Sequence, residues 1–377
     1  MKPIYLDNAA TTAIDPEVLE AMHPYLYHHF GNPSAIHSLG RKSKAAIEAA
    51  RKSIALLLNC SSAEIFFTSG GTESNNTILW GAAKYLDVLT IITSPIEHHC
   101  VLHTCEDLLR EGLIQKLLYV NILKDGSIDY QHLEKLLQTS DTKTLVTLMH
   151  ANNELGTLLD LDKVADICRA YNAYFHTDSV QSLGQIKIDM QKTTLHFLTG
   201  SAHKFHGPKG AGILYMRNTN TIKPMIQGGS QERNMRAGTE NVYGIIGLAK
   251  ALEIAYRDFD KNKQHITELK QYFILSLKAN FENLIFNGPE NENCLHKVLS
   301  VAFPDRYKTD LLLLNLDING VCASSGSACS SGSEVASHVL QAINLPKNYV
   351  PIRFSFSKFN TLKEIDDTIS ILRKILL

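Results

Sequence analysis

Five short apolar runs dominate the pattern of this chain: Glu64–Thr68, Leu89–Thr93, Thr144–His150, Ala173–Asp178 and Leu195–Leu198. They are too short for ordinary helices, and they alternate with helix-patterned segments from residue 15 to about 255. Runs of this kind read as strands buried on both faces, which occur in parallel sheets. Alternation with helices then predicts a doubly wound α/β sheet that places ligands beyond the C-terminal ends of its strands. The helix signals agree. Asp15-Pro16-Glu17 combines a cap, a proline at the first helical position and an acidic first turn, residues 41–58 form an amphipathic stretch, and a helix is expected over Thr72–Leu86.

Beyond Gly244 the pattern changes. A long helical region reaches about Phe281, followed by a strand-like run at Lys297–Ala302, a helix near 309–316 and a last strand at Pro351–Ser355. This predicts a smaller α+β lobe, with the N-terminal dozen residues packed against it. The 377 residues suffice for two such cores, and 44% hydrophobic with 20% charged residues is ordinary for a globular protein. A net charge of −1 gives no reason to expect nucleic acid or an anionic membrane surface. The apolar runs are short, and Met1-Lys2-Pro3-Ile4-Tyr5-Leu6-Asp7 meets a carboxylate at once, so neither a membrane span nor a secretory leader is expected and a cytoplasmic location is. The seven cysteines contain no C-x-x-C pair and are scattered as in a reduced compartment.

The chemistry-bearing residues cluster at the predicted strand ends. Lys204 lies in Thr199-Gly200-Ser201-Ala202-His203-Lys204, just past one run, and Asp178 ends another. A lysine and a carboxylate at neighbouring strand ends suit pyridoxal phosphate, because the amine can hold its aldehyde and the carboxylate can keep its ring nitrogen protonated. Taken alone, Ser-x-His-Lys reads as a surface lysine in a Gly/Ser turn, and it is the surroundings that favour the cofactor. Phe67-Thr68-Ser69-Gly70-Gly71-Thr72 runs from a strand into a helix, so it is either a capping turn or a phosphate cradle; it lacks both the Walker lysine and the G-x-G-x-x-G spacing. Glu97-His98-His99 suggests a metal, but adjacent side chains diverge and no regular third ligand follows, so no intrinsic metal is expected. An imidazole at a strand end can instead stack on a ring and move a proton, or be an ordinary loop histidine. Asn152-Asn153-Glu154-Leu155-Gly156 and Gln181, one helical turn past Asp178, offer further polar contacts.

Two features remain. Cys329 sits in Ser324-Ser325-Gly326-Ser327-Ala328-Cys329-Ser330-Ser331-Gly332-Ser333, a segment too small and polar to bury itself. Such a cysteine is either a thiol on a linker or a nucleophile on a swinging arm. Arg353 is a charge inside a buried-looking strand, which calls for a carboxylate partner from the protein or from a substrate.

These pieces occur together in one family. Leu6–Thr12, Gly31-Asn32-Pro33-Ser34 with His37, Thr68–Asn76, Glu97-His98, Asn152–Gly156, His176-Thr177-Asp178 with Gln181, Ser201–Lys204 with Gly207-Pro208-Lys209-Gly210, Arg233–Thr239, Ser324–Cys329 and Arg353-Phe354-Ser355 resemble the cysteine desulfurases, in order and essentially end to end. The Ser-Ser-Gly-Ser-Ala-Cys loop is similar to that of group I (the NifS/IscS type). The resemblance implies pyridoxal-phosphate fold type I in the class V aminotransferase group, with a mostly parallel seven-stranded sheet flanked by helices. It implies a large domain over 15–255, a small one over 1–14 and 256–377 carrying a loop at about 322–334, and a homodimer. It assigns Lys204 to the cofactor aldehyde, Asp178 to the ring nitrogen, and Gln181 and Asn153 to the phenolic oxygen side. Gly71, Thr72, Ser201 and His203 become phosphate binders, with Thr239 reaching in from the other subunit. His98 becomes the stacking, proton-handling residue, Cys329 the persulfide nucleophile, able to ligate a nascent iron–sulfur cluster in passing, and Arg353, with Asn153, the substrate-carboxylate site.

The implied reaction converts L-cysteine to L-alanine and a Cys329 persulfide, which is handed to an acceptor protein for iron–sulfur assembly or tRNA and cofactor thiolation. The family's scaffold-dedicated members carry a C-terminal extension, whereas this chain stops soon after its last predicted helix, which leaves the acceptor open. The rivals are a selenocysteine lyase, another class V enzyme such as an aminotransferase, and a sulfur carrier without the cofactor.

Overall fold

The computed structural model describes residues 3–217, 222–289, 294–305, 307, 309, 311–326 and 337–377. Its strands are β1 (Ile4–Tyr5), β2 (Ile65–Thr68), β3 (Thr90–Thr93), β4 (Lys116–Tyr119), β5 (Thr144–Thr147), β6 (Tyr174–Asp178), β7 (Phe197–Ser201), β8 (Gly212–Met216), β9 (Ile285–Asn287), β10 (Val298–Pro304), β11 (Val321–Cys322) and β12 (Tyr349–Ser355). Seven of them form one sheet in the order β2-β8-β7-β6-β5-β3-β4. β8 is antiparallel to both neighbours and the other six run in one direction, so the mostly parallel seven-stranded sheet is present.

Both faces of this sheet are covered, which is why its strands are apolar without alternation. Successive residues feed opposite cores: Ile92, Val146, Leu198 and Ile213 enter one, while Ile91, Leu145, Phe197 and Leu214 enter the other. The first core is closed by helices Ser38–Leu57 and Val242–Arg257, through Ile47, Ile54, Leu248 and Leu252. The second is closed by helices Gly71–Tyr85 and His99–Arg110, through Ile78, Leu79, Val101 and Leu108. Each large apolar side chain buried this way contributes about 2 kcal/mol.

The predicted boundaries shift in ways the hydrogen bonding explains. The run expected over Thr144–His150 is a regular strand only to Thr147, but Leu148 and His150 still donate their amides to the carbonyls of His176 and Asp178, so bonding to β6 continues past its end. The long helical region is two helices, Val242–Arg257 and Phe259–Asn280, parted at Asp258. β4 and β8 escaped the pattern. β4 is an edge strand whose ends, Lys116 and Tyr119, are exposed, and β8 follows directly on the turn at Gly210.

A second, antiparallel sheet has the order β12-β10-β9, and its core joins Leu299, Val301, Phe303, Ile352 and Phe354 to Phe273 and Leu277. The N-terminus lies against it: β1 pairs in parallel with β11, and the Asn8 side chain donates to the Ser355 carbonyl at 2.9 Å. No helix among the described residues is long and apolar enough to cross a membrane.

One buried ion pair ties the outer strand β2 to the chain beyond β8. Arg51, 2% exposed, donates to both oxygens of Glu232 (2.8 and 2.9 Å) and to the Ile65 carbonyl at 2.8 Å, while Glu232 also accepts the Phe67 amide at 2.8 Å. Breaking a buried pair from one side strands the other charge. Glu232→Ala is therefore expected to cost about 3 kcal/mol, read as a lower urea midpoint, with part of the loss recovered when Arg51→Met is added.

Candidate active site

The strand ends converge on a cavity of about 240 Å³ at the C-terminal edge of the large sheet. After β2 the chain turns directly into helix Gly71–Tyr85, presenting Gly71, Thr72 and, one turn on, Asn75. The close approach requires glycine at 71, since a Cβ there would meet Val180 Cγ2 at 2.4 Å. After β3 comes His98, after β5 Asn153, and β6 ends on Asp178 with Gln181 beyond. β7 ends on Ser201 and runs into the short 3-10 turn Ala202–Lys204. Arg353 reaches the same cavity from β12 of the other sheet.

The polar contacts fix each side chain. Asp178 accepts from Asn75 Nδ2 at 2.7 Å and from the Val180 amide at 2.9 Å, and Asn75 Oδ1 in turn accepts from the Thr199 hydroxyl at 2.8 Å. Lys204 Nζ donates to the carbonyls of Ala9 (2.7 Å) and Ala10 (2.8 Å). Gln181 Nε2 also donates to the Ala9 carbonyl at 2.9 Å, while its buried Oε1 has no partner. Arg353 donates to Asp7 Oδ1 at 2.8 Å and to the Asn153 carbonyl at 3.0 Å, and its buried Nε is unpartnered. The carboxylate expected beside Arg353 is thus supplied by Asp7, with one guanidinium nitrogen in reserve.

Burial sets the protonation states. His203, whose Nδ1 lies 3.1 Å from the Thr11 hydroxyl, is pushed down to about 4 by burial and by the cation on Lys204. Burial also lowers His98; Lys204, His338 and His103 push the same way and Asp178 opposes them. Beneath His98, Glu97 is wholly buried and pushed up to about 8, although it accepts from Ser94 Oγ (2.7 Å) and the Met149 amide (3.0 Å).

The structure gathers Gly71, Thr72, His98, Asn153, Asp178, Gln181, Ser201, His203, Lys204 and Arg353 around one space. Thr239 is not among them; it lines a separate hollow with Ser69, Arg236 and Asn241. Cys329 lies outside the described residues. Its flanks do not: Ser324 and Arg353 exchange main-chain hydrogen bonds of 3.2 and 2.6 Å, and Ser337 Oγ donates to Glu154 Oε2 at 2.6 Å. A Cβ on Gly326 would lie 3.4 Å from Ser337 Cβ, so the two flanks meet beside Asn153 and Arg353.

Sequence reasoning missed three residues. Asn75 was signalled by its place one helical turn after Gly71, and Cys100 by its place two residues after His98. Lys297 had no such signal: it is 2% exposed and donates to the Lys204 carbonyl at 3.2 Å.

Residues 4–367 match the family described as aminotransferase class-V, and the chain belongs to that family. Its relatives are named for one activity within the class. It is 44% identical to the cysteine desulfurase IscS of Dictyoglomus turgidum, over all of this chain and 95% of that one. It is 40% identical to the putative cysteine desulfurase IscS 1 of Bacillus subtilis, over 97% and 96%. Among solved structures, a NifS-like protein matches with a TM-score of 0.91 at 36% identity over 99% of both chains. SspA in complex with cysteine matches with 0.81 at 33% identity, over 95% of this chain and 99% of that one.

Lys297 yields a prediction with a definite sign. Burial, with Lys204 and Arg353 adding repulsion, pushes its amine down to about 7. Between that value and the ordinary lysine value the unfolded chain binds the extra proton, so this group's contribution to stability rises with pH. The urea midpoint of Lys297→Met should exceed that of the wild type most near pH 7 and least near pH 10, by a difference of about 1–3 kcal/mol between the two ends. A difference independent of pH would show that Lys297 does not titrate in this window.

Proposed function

We propose that the protein is a pyridoxal-phosphate-dependent cysteine desulfurase. The observation that carries this reading is the meeting of Lys204, Asp178, the Gly71–Thr72 helix start and Arg353 in one cavity. The residues fit the cofactor. Gln181 Oε1 is a buried polar atom without a partner, and Gly71 leaves a cradle at a helix N-terminus where amides and dipole favour a phosphate. Ser201 and His203 would complete that cradle, Thr239 would reach a partner subunit's cavity in a homodimer, and Asn153 and Gln181 would face the phenolic oxygen. The lobe over 15–255 would hold the cofactor, and residues 1–14 with 256–377 would bring Arg353 and the Cys329 segment.

When bound, pyridoxal phosphate supplies an aldehyde for the substrate amine and a protonated ring that accepts electron density from bonds broken beside it. The chain's own groups do the rest. Asp178, held by Asn75 and Val180, would keep a proton on the ring nitrogen. Arg353 takes the L-cysteine carboxylate through the nitrogen that Asp7 and Asn153 leave over. Lys204 Nζ would hold the cofactor aldehyde and, when free of it, would serve as the base that takes the Cα proton of the substrate. The Cys329 thiolate would attack the substrate sulfur as the Cβ–S bond breaks, leaving the electron pair on Cβ, which takes a proton, so that L-cysteine and a thiol become L-alanine and a persulfide. Support for Cys329 as the acceptor comes from its flanks, which close beside Arg353 and Glu154. The persulfide then passes to an acceptor protein, for iron–sulfur assembly or thiolation, with the IscS-named relatives favouring the former.

The test incubates the protein with L-cysteine and a reductant, then measures alanine and sulfide together. Equal amounts are expected from wild type. Cys329→Ser should lower both by about 10³-fold or more while leaving cofactor absorbance intact, and Lys204→Ala should lower both as well. Undiminished alanine from Cys329→Ser would point to another class V reaction. Faster turnover of L-selenocysteine than of L-cysteine would point to a lyase.

A further inference from the structure

Cys100 is a thiol in the cavity wall that the proposed reaction does not use. Its surroundings give it a direction. His98 begins helix His99–Arg110 as its N-cap, and its Nδ1 accepts the Cys100 amide at 3.2 Å. The Cys100 Sγ lies 3.0 Å from the same Nδ1. On its other side, Sγ accepts from Asn75 Nδ2 at 3.3 Å, and that amide also donates to Asp178 Oδ2 at 2.7 Å. The Thr72 hydroxyl also bonds this thiol, and with Thr72 and Asn75 both donating to the sulfur, the thiol's own hydrogen is left for Nδ1.

We propose that Cys100 is a positioning residue for His98, pinning the imidazole in the tautomer that carries its proton on Nε2. This rests on the desulfurase reading for its consequence but not for its geometry. Nδ1 is occupied by two donors from Cys100, so His98 meets whatever enters the cavity as an Nε2–H donor. Asn75 joins this contact to Asp178, linking the acid that serves one edge of the bound ring with the imidazole expected on its face. The thiol is suited to the part, because burial, reinforced by the Asp178 charge, pushes it up to about 12 and keeps it protonated.

The arrangement also holds His98 neutral. Placing a proton on Nδ1 forfeits both donors, which adds to the effect of burial. The other charges facing the ring are Asp178 from β6, Lys204 from the turn after β7, His338 from the segment after the Cys329 loop, and His99 and His103 from its own helix.

The test uses the holoenzyme and the cofactor-free chain, labelled with ¹⁵N-histidine, with His98→Gln locating the His98 signals. Long-range proton–nitrogen spectra at neutral pH should show Nδ1 bare and Nε2 protonated in the wild type and in Cys100→Ser. In Cys100→Ala, where only the residue-100 amide still meets Nδ1, a minor form with the proton on Nδ1 should become detectable. Cys100→Ala should also lower kcat about threefold with KM unchanged and move the acidic limb of the kcat profile up by about half a pH unit, while Cys100→Ser recovers most of both. A wild-type Nδ1 that carries the proton would overturn the proposal. So would a Cys100→Ala protein that matches wild type in spectrum and pH profile, or a Cys100→Ser protein as impaired as the alanine variant. If no alanine forms from L-cysteine at all, the desulfurase reading fails and the spectra still decide the tautomer.

Discussion

The site depends on a strip of main chain. Residues 7–12 run between the two sheets, and their carbonyls and side chains supply partners to both cations of the site. Ala9 and Ala10 receive Lys204, Ala9 receives Gln181 as well, Asp7 receives Arg353, and the Thr12 amide bonds the His203 carbonyl at 2.9 Å. The strip is itself pinned from the far side, where the Ala9 amide meets the Ser355 hydroxyl at 2.8 Å and the Ser355 amide meets the Leu6 carbonyl at 2.7 Å. The large sheet brings up the strand ends, but it is this crossing segment that joins them to Arg353.

The charges around the cavity explain what it is ready to receive. Lys204 and Arg353 line it, and Lys297 stands behind Lys204. Against them stand Asp178, which Asn75 and the Val180 amide orient, and Asp7, which is already paired. Burial holds His98 and His203 below their ordinary values and so keeps further positive charge out. The cavity therefore complements a ligand with several negative groups, and a phosphate at the Gly71 helix start and a carboxylate at Arg353 would each neutralise a different part of it.

How much of this can be read from residues alone depends on how local the signal is. Lys204, Asp178, Gly71 and His98 each stand at the end of an apolar run, so strand periodicity plus the rule of C-terminal edges is enough to place them together. β4 and β8 could not be found that way. The first is an edge strand with no need for an apolar run, and the second runs against its neighbours immediately after a tight turn. Lys297 is illegible for a different reason. Its charge precedes the apolar strand Val298–Pro304, where a lysine ordinarily points to solvent, and only the docking of the second sheet behind Lys204 buries it. The partner of Arg353 was similarly open, since Asp7 lies 346 residues away in the chain.

That last distance bears on how substrate and sulfur chemistry are joined. Arg353 N and O bond Ser324, the residue that begins the Ser-Ser-Gly-Ser-Ala-Cys segment, while the Arg353 guanidinium faces the cavity. The far flank, at Ser337, is held by Glu154, one residue from the carbonyl that receives Arg353. One arginine thus registers three things against one another: the strip that receives Lys204, the substrate carboxylate it is proposed to bind, and the base of the segment carrying Cys329. Both described flanks of that segment are thus fixed on the same short stretch of wall. On the proposed desulfurase reading, a thiol that took sulfur inside the cavity and released it outside would need anchored ends of this kind, with the polar, small-residue sequence between them.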